Sequence, residues 1–115
     1  MALHENLTIY KKALDLAVYF EKIVANFSKY HKYTVGSDLR SISKEILLLI
    51  AKANALKDKT PVLLKLREKI EELKILINIC KELKAFRSLK SFEYAIKGAV
   101  NIAKQNEGWL KSRSP

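Results

Sequence analysis

The chain has 115 residues, of which 49% are hydrophobic and 30% charged, with a formal net charge of +10 at pH 7. This length fits one domain, and three glycines and two prolines are too few turn residues for a β-sandwich or a β-barrel. Abundant Leu, Ile, Ala, Lys and Glu favour long helices, and the charge favours a polyanionic partner such as nucleic acid or an anionic surface. We therefore expect a single all-α domain over residues 1–115.

Apolar residues three and four positions apart predict a first helix over about residues 6–28, capped by Asn6 or Thr8. The same spacing predicts a second helix over about 35–57, with Thr34 as its cap. The apolar seam of that helix, read from Val35 through Leu49, leaves Leu47 and Ile50 outside it. Residues 29–33 are expected to be a break between the two helices.

A third helix is predicted over about residues 61–84, with Thr60 as N-cap and Pro61 at the first helical position. A fourth is predicted over about 89–112, with Ser88 as its cap. Four long helices with short connections indicate an antiparallel up-down four-helix bundle.

The second and third predicted helices carry more apolar residues than a bundle core needs, since an inward stripe takes about three residues in seven. The extra residues are Leu47, Ile50, Leu64, Ile75 and Ile79. They fit either a thick core or an interface between copies, because large exposed apolar patches are rare on monomers. We expect a homo-oligomer with these residues at its interface.

No pattern of catalytic residues is visible, and the two histidines and the single cysteine, Cys80, form no metal-ligand spacing. We expect no enzymatic activity, no catalytic residue, no metal and no cofactor. A lone cysteine fits a reducing cytosol. The start "MALHENL" does not resemble a signal peptide, and the longest apolar run, residues 46–51, is too short to cross a bilayer. These features predict a cytoplasmic protein without a membrane partner.

Lysines recur every seven residues along the fourth predicted helix, at Lys90, Lys97, Lys104 and Lys111, and Arg113 follows. Seven residues of α-helix fall only about 20° short of two full turns, so these lysines form one nearly straight stripe. The stripe is a candidate contact for nucleic acid or a polymerase. An ordinary solvent-exposed helix face would show the same spacing.

A second candidate contact is the segment from Lys29 to Lys44, with Lys32 and Arg40 between them. Tyr30 and Tyr33 interleave with these cations, a combination that suits unpaired bases and their phosphates. The two rings could instead cover the end of the bundle with their hydroxyls in water, and we favour that interpretation for the tyrosines. Arg40 suits a phosphate or a protein contact equally.

Three segments resemble a known family: "KYTVGSDLR" (residues 32–40), "KTPVLLKLREKIEELKILINICKEL" (59–83) and "SLKSFEYAIKGAVNIAKQNEGWLKS" (88–112). They are similar to the second, third and fourth helices of the accessory variability determinant (Avd) family of diversity-generating retroelements. The similarity covers about residues 6–112 in order. Its distinctive parts are the Thr-x-Gly turn, the Thr-Pro start and the terminal Gly-Trp.

The resemblance implies a four-helix bundle that assembles into a homopentameric barrel with a basic surface. It also implies binding to a reverse transcriptase and to its template RNA or RNA/DNA, in support of mutagenic cDNA synthesis. Gly36 and Arg40 match the family's turn and the basic position after it.

Two alternatives to this function stay open. One is a protein of the same fold group, encoded in an intervening sequence of bacterial 23S ribosomal RNA. Those proteins usually have a Gly-rich end to the second helix, whereas residues 51–60 here contain no glycine. The other is a protein-only oligomeric assembly module whose charge serves solubility.

Overall fold

A computed structural model describes residues 7–113, and within them the chain is helical with no β-strand. The helices are α1 (Thr8–Val24), α2 (Lys29–Lys32), α3 (Val35–Ala55), α4 (Thr60–Glu82) and α5 (Leu89–Lys111). The four long helices correspond to the four predicted ones. The segment predicted as a break contains the single-turn helix α2.

The four long helices pack against one another in the order α1, α3, α4, α5, and α5 closes the ring against α1. Side-chain contacts set their directions. Arg67, early in α4, pairs with Glu107, late in α5, at 2.7 Å. The Tyr19 hydroxyl, late in α1, donates to the carbonyl oxygen of Ser91, early in α5, at 3.5 Å. Neighbouring helices are therefore antiparallel, within overall dimensions of 46 × 22 × 20 Å.

Aliphatic side chains and Phe20 fill the interior along the whole bundle. Two polar residues are buried among them, and each makes a hydrogen bond to the backbone. Ser43 Oγ donates to the carbonyl oxygen of Leu39 at 2.6 Å, and Asn106 Nδ2 donates to that of Leu63 at 3.1 Å. The second bond ties α5 to the first turn of α4.

The inward face of α3 differs from the predicted one. Ile50 is completely buried in the core, whereas Leu49 is half-buried at the edge. The assignment of Ile50 to an oligomer interface is therefore wrong. The steps from Ile46 to Ile50 and on to Ala53 are four and three residues, and those through Leu49 are three and four. Both sequences of steps satisfy helical periodicity, and packing against α4 and α1 selects the first.

Two of the predicted capping residues occupy the N-cap position of their helix, and only one of these two makes the side-chain capping hydrogen bond. Ser88 caps α5 by accepting from the backbone N–H of Ser91 at 3.1 Å, as predicted. Thr34 occupies the N-cap position of α3, as predicted, but its side chain makes no capping hydrogen bond, and its hydroxyl donates backwards to the carbonyl oxygen of Tyr30 at 2.8 Å. Thr60 lies one residue inside α4, so Pro61 occupies the second helical position. Leu7 is at the N-cap position of α1, and Asn6 lies outside the described residues.

Candidate nucleic-acid interface

The lysine stripe of α5 lies on the solvent side of the helix. Lys90, Lys97, Lys104 and Lys111 are all exposed, and so is Arg113 just beyond the helix. The buried residues of α5 are Ala95, Ala99, Ile102 and Asn106. Lys97 is two residues from both Ala95 and Ala99, which places it about 200° from them around the helix axis. The stripe therefore points directly away from the core.

These four lysines form no ion pair within residues 7–113. Two acids lie on α5 beside the stripe, Glu93 and Glu107. Glu107 is occupied by Arg67, whose Nε and Nη2 donate to its two carboxylate oxygens at 2.8 and 2.7 Å. That hydrogen bonding, more than simple charge attraction, lowers the pKa of Glu107 below its ordinary value. The positive charge of the stripe is therefore not neutralised by ion pairs within the described residues.

The stripe borders an open groove of about 650 Å³ between α4 and α5. Ile70, Val100 and Ala103 give this groove apolar walls, and Lys104 and Lys111 lie along it. A smaller groove of about 380 Å³ continues past Lys97. Cations beside apolar grooves can hold a polyanion and contact its less polar parts at the same time.

The second predicted cluster is divided by the structure. Lys29 is exposed and Lys32 half-buried, both on α2. Arg40 and Lys44 lie instead against α1, where both form ion pairs with Glu21. Arg40 Nε is 3.0 Å and Lys44 Nζ 3.4 Å from its carboxylate oxygens. Arg40 Nη2 also donates to the Glu21 carbonyl oxygen at 3.0 Å. Arg40 therefore fastens α3 to α1, and its contact with a phosphate stays a prediction.

The tyrosines of α2 do not cover the end of the bundle. Tyr30 is 75% exposed and Tyr33 is 70% exposed, so the interpretation favoured from the sequence is wrong. Phe27 and Phe86 cover that end, with ring centroids 5.8 Å apart in an edge-to-face arrangement. Phe86 lies in the connection between α4 and α5, where the sequence has no helical periodicity. Its aromatic side chain was the one sequence signal that indicated burial.

The apolar residues predicted outside the core lie on two separate faces. Leu64, Ile75 and Ile79 are exposed on α4, together with Leu83. Leu47 is half-buried on α3 next to the exposed Leu48, and Leu14 and Val18 are exposed on α1, which packs against α3. The sequence did not predict that Leu14 belongs to the exposed face of α1 and α3, because Leu14 lies at a helical spacing that predicts burial.

Three further features were compared with the sequence predictions: the Cys80 thiol, possible metal ligands and possible membrane-spanning helices. Burial raises the pKa of the Cys80 thiol to about 11, so it is protonated and unreactive near neutral pH. Within residues 7–113, no cluster of His, Cys, Asp or Glu is arranged to bind a metal ion. None of the helices described combines the length and apolarity needed to cross a bilayer.

A scan against protein-family models finds no match, and no curated protein matches the sequence. The site is therefore interpreted from its own chemistry.

Proposed function

We propose that this protein is a non-enzymatic accessory protein of a diversity-generating retroelement, which binds the reverse transcriptase and its template RNA during mutagenic cDNA synthesis. The observation that carries the nucleic-acid part is the unpaired lysine stripe of α5. The retroelement part rests on the resemblance of residues 32–40, 59–83 and 88–112 to the accessory variability determinant family. The polymerase chemistry would belong to the partner.

The proposed mechanism is electrostatic. Each phosphate that a lysine neutralises releases condensed counterions, so affinity falls as salt rises, by about 0.7 in the logarithmic slope per contact on a single strand. Assembly into a ring would multiply a monomer charge of +10. A partner RNA would then contact stripes from several copies.

The proposed homopentamer uses the two apolar faces. The α4 face contains Leu64, Ile75, Ile79 and Leu83, and its neighbours Glu68, Glu72 and Glu82 are exposed acids. The α1–α3 face contains Leu14, Val18, Leu47 and Leu48, with the exposed Lys11 and Lys52 around it and Lys44 paired with Glu21. Two different faces with opposite charge suit a head-to-tail contact, which closes into a ring, better than a two-fold dimer.

The nucleic-acid part is tested by reversing charge at Lys97, Lys104 and Lys111 to Glu. We expect RNA affinity at 0.15 M salt to fall at least about tenfold and the logarithmic salt slope to shrink by about 2. The matched control reverses Lys22, Lys57 and Lys65, which are exposed, lie off the stripe and form no ion pair within residues 7–113. Equal losses in both variants would show that only total charge matters, and unchanged binding in the stripe variant would refute the stripe.

Assembly is tested by sedimentation at micromolar concentration. We expect an oligomer for the wild type and a monomer for the Ile75→Lys, Ile79→Lys double variant, with Leu89→Lys, exposed outside both faces, as control. A monomeric wild type would refute the ring. Copurification with a candidate reverse transcriptase and its RNA tests the retroelement part, and RNA affinity that is insensitive to salt would favour the protein-only assembly module.

A further inference from the structure

Helix α2 is fixed in place although it buries none of its own side chains. Ser28 Oγ accepts from the backbone N–H of His31 at 3.4 Å, and the Thr34 hydroxyl donates to the carbonyl oxygen of Tyr30 at 2.8 Å. Gly36 lets α3 approach α2 so closely that a Cβ at that position would lie 2.9 Å from the His31 carbonyl oxygen. None of these contacts uses the side chain of Lys29, Tyr30 or Tyr33, and all three side chains are exposed.

Tyr30 and Tyr33 lie three positions apart on this turn, and both are exposed. Positions three apart on a helical turn share a face, and Tyr33 ends α2 with near-helical backbone angles (φ −94°, ψ 0°). The only ring contact of either tyrosine within the described chain is the edge contact of Tyr30 with His31, with centroids 5.6 Å apart. Two large rings exposed by 75% and 70% forgo the burial that aromatic side chains usually obtain in a fold.

Cations lie at the same end of the bundle as these rings, on two connections of the chain. Lys29 and Lys32 are on α2 itself. The α4–α5 connection lies at the same end of the bundle, where Arg87 Nε donates to the carbonyl oxygen of Asn26 at 2.6 Å. Residues 25–38 and 82–92 together contain five cations, Lys29, Lys32, Lys84, Arg87 and Lys90, against two acids, Asp38 and Glu82. Lys90 is also the first lysine of the α5 stripe.

We propose that this end of the bundle is a binding site for single-stranded nucleic acid, with unpaired bases stacking on Tyr30 and Tyr33. Phosphates of the same strand lie against Lys29, Lys84 and Lys90 and continue along the α5 stripe. Stacking on aromatic rings is available to a base that has left its duplex, because paired bases already stack on their neighbours. The inference rests on the proposed function and adds a preference for unpaired strand to it.

The test compares single-stranded oligouridine and oligoadenosine with their duplex, using the full chain. We expect the wild type to bind the single strands more tightly than the duplex. The Tyr30→Leu, Tyr33→Leu double variant should lose about tenfold or more in single-strand affinity, since each stacked base is worth about 1–3 kcal/mol. Its salt slope should stay unchanged because no phosphate contact is removed. Tyr30→Phe, Tyr33→Phe should bind as the wild type does.

Tyr10→Leu is the control, because Tyr10 is half-buried in the first turn of α1, at the end of the bundle opposite α2. Thermal melting should show all α2 variants folded, since α2 contributes no buried side chain. The inference would be overturned if the leucine variant bound single strands as tightly as the wild type. It would also be overturned if the wild type bound single strands and duplex equally. Neither result would contradict binding by the lysine stripe. A leucine variant that loses only polymerase binding would also overturn the inference. Absence of any RNA binding by the wild type would overturn the proposed function as well.

Discussion

At the end of the bundle where α3 is followed by α4, a lysine side chain forms hydrogen bonds with the backbone. Lys59 Nζ donates to the carbonyl oxygens of Ala53, Asn54 and Leu56 at 3.0, 3.2 and 2.6 Å. These carbonyls end α3 and carry the negative end of its dipole. At the opposite end, Lys29 and the other α2 lysine have no such acceptor within the described chain.

The opposite end is held by close packing instead. The backbone of α3 fits against α1 and α2 at Gly36, and Phe27 packs edge-to-face on Phe86. We therefore expect the stability of that end to depend little on the lysines and tyrosines of α2, none of which is buried. The comparison predicts that substitutions can separate stability from binding at the α2 end, whereas at the Lys59 end the cation contributes to stability itself.

The largest effect is expected at Gly36. A Cβ at this position would lie 2.6 Å from Val24 Cγ1 and 2.9 Å from the backbone carbonyl oxygen of His31. Because a backbone atom cannot move aside cheaply, Gly36→Ala should lower the free energy of unfolding by about 3 kcal/mol in urea denaturation. Gly108→Ala is the control, since nothing lies within 4 Å of its added Cβ. It should stabilise the helix by up to about 1 kcal/mol. Equal stability of the Gly36→Ala variant and the wild type would contradict the close fit.

The next effect concerns Cys80, in the last turns of α4 at the same end. Burial, with a smaller contribution from the charge of Asp38, raises the pKa of this thiol from 9.0 to about 11. The folded state then holds a proton that the unfolded state loses, so the free energy of unfolding should fall as pH rises from about 9 to about 11. The fall should approach about 2 kcal/mol. Cys80→Ala removes this part of the pH dependence, and denaturation of both proteins at several pH values measures the difference. Parallel pH profiles would argue against a thiol buried in the folded state.

Much of the fold follows from the sequence because burial repeats with the helical period. The four long helices overlap the predicted spans, although α1 ends at Val24, four residues before the predicted end. The exact inward face is harder to predict when adjacent positions are both apolar, as at Leu49 and Ile50, because the choice depends on the neighbouring helices. Pattern alone also missed α2, since a helix of four residues is too short to show a period.

The sequence predicts which cations belong to the candidate site, but it does not predict which of them form ion pairs with acidic residues. The seven-residue spacing of the α5 lysines places them on one face without any knowledge of the rest of the chain. Whether a cation is free depends on acids distant in sequence, such as Glu21 for Arg40. The exposure of Tyr30 and Tyr33 was likewise decided by Phe86, which lies far along the chain and packs over the end that the tyrosines leave uncovered.

At the Lys59 end, Lys59→Met should remove the three hydrogen bonds to the last turn of α3 while keeping most of the aliphatic side chain. We expect the free energy of unfolding to fall by about 1 kcal/mol and RNA affinity to change little. Lys57→Met, an exposed neighbour without these bonds, is the control. A variant at Lys59 that melts like the control would show that this lysine does not stabilise α3.

The smallest effect is expected for the exposed pair of Arg67 and Glu107, near the same end. Hydrogen bonding from Arg67 lowers the pKa of Glu107, so the pair stabilises the fold above the ordinary pKa of Glu and loses this contribution as pH falls through the lowered value. Arg67→Gln should return the carboxyl pKa towards its ordinary value, measured by carbon NMR titration. Lys65→Gln, which removes a cation of α4 without an ion pair, should leave it unchanged. The freed Glu107 carboxylate would then be available to Lys104 and Lys111, so Arg67→Gln should also weaken RNA binding slightly. A normal RNA affinity together with a restored pKa would show that Arg67 does not keep the stripe free of Glu107.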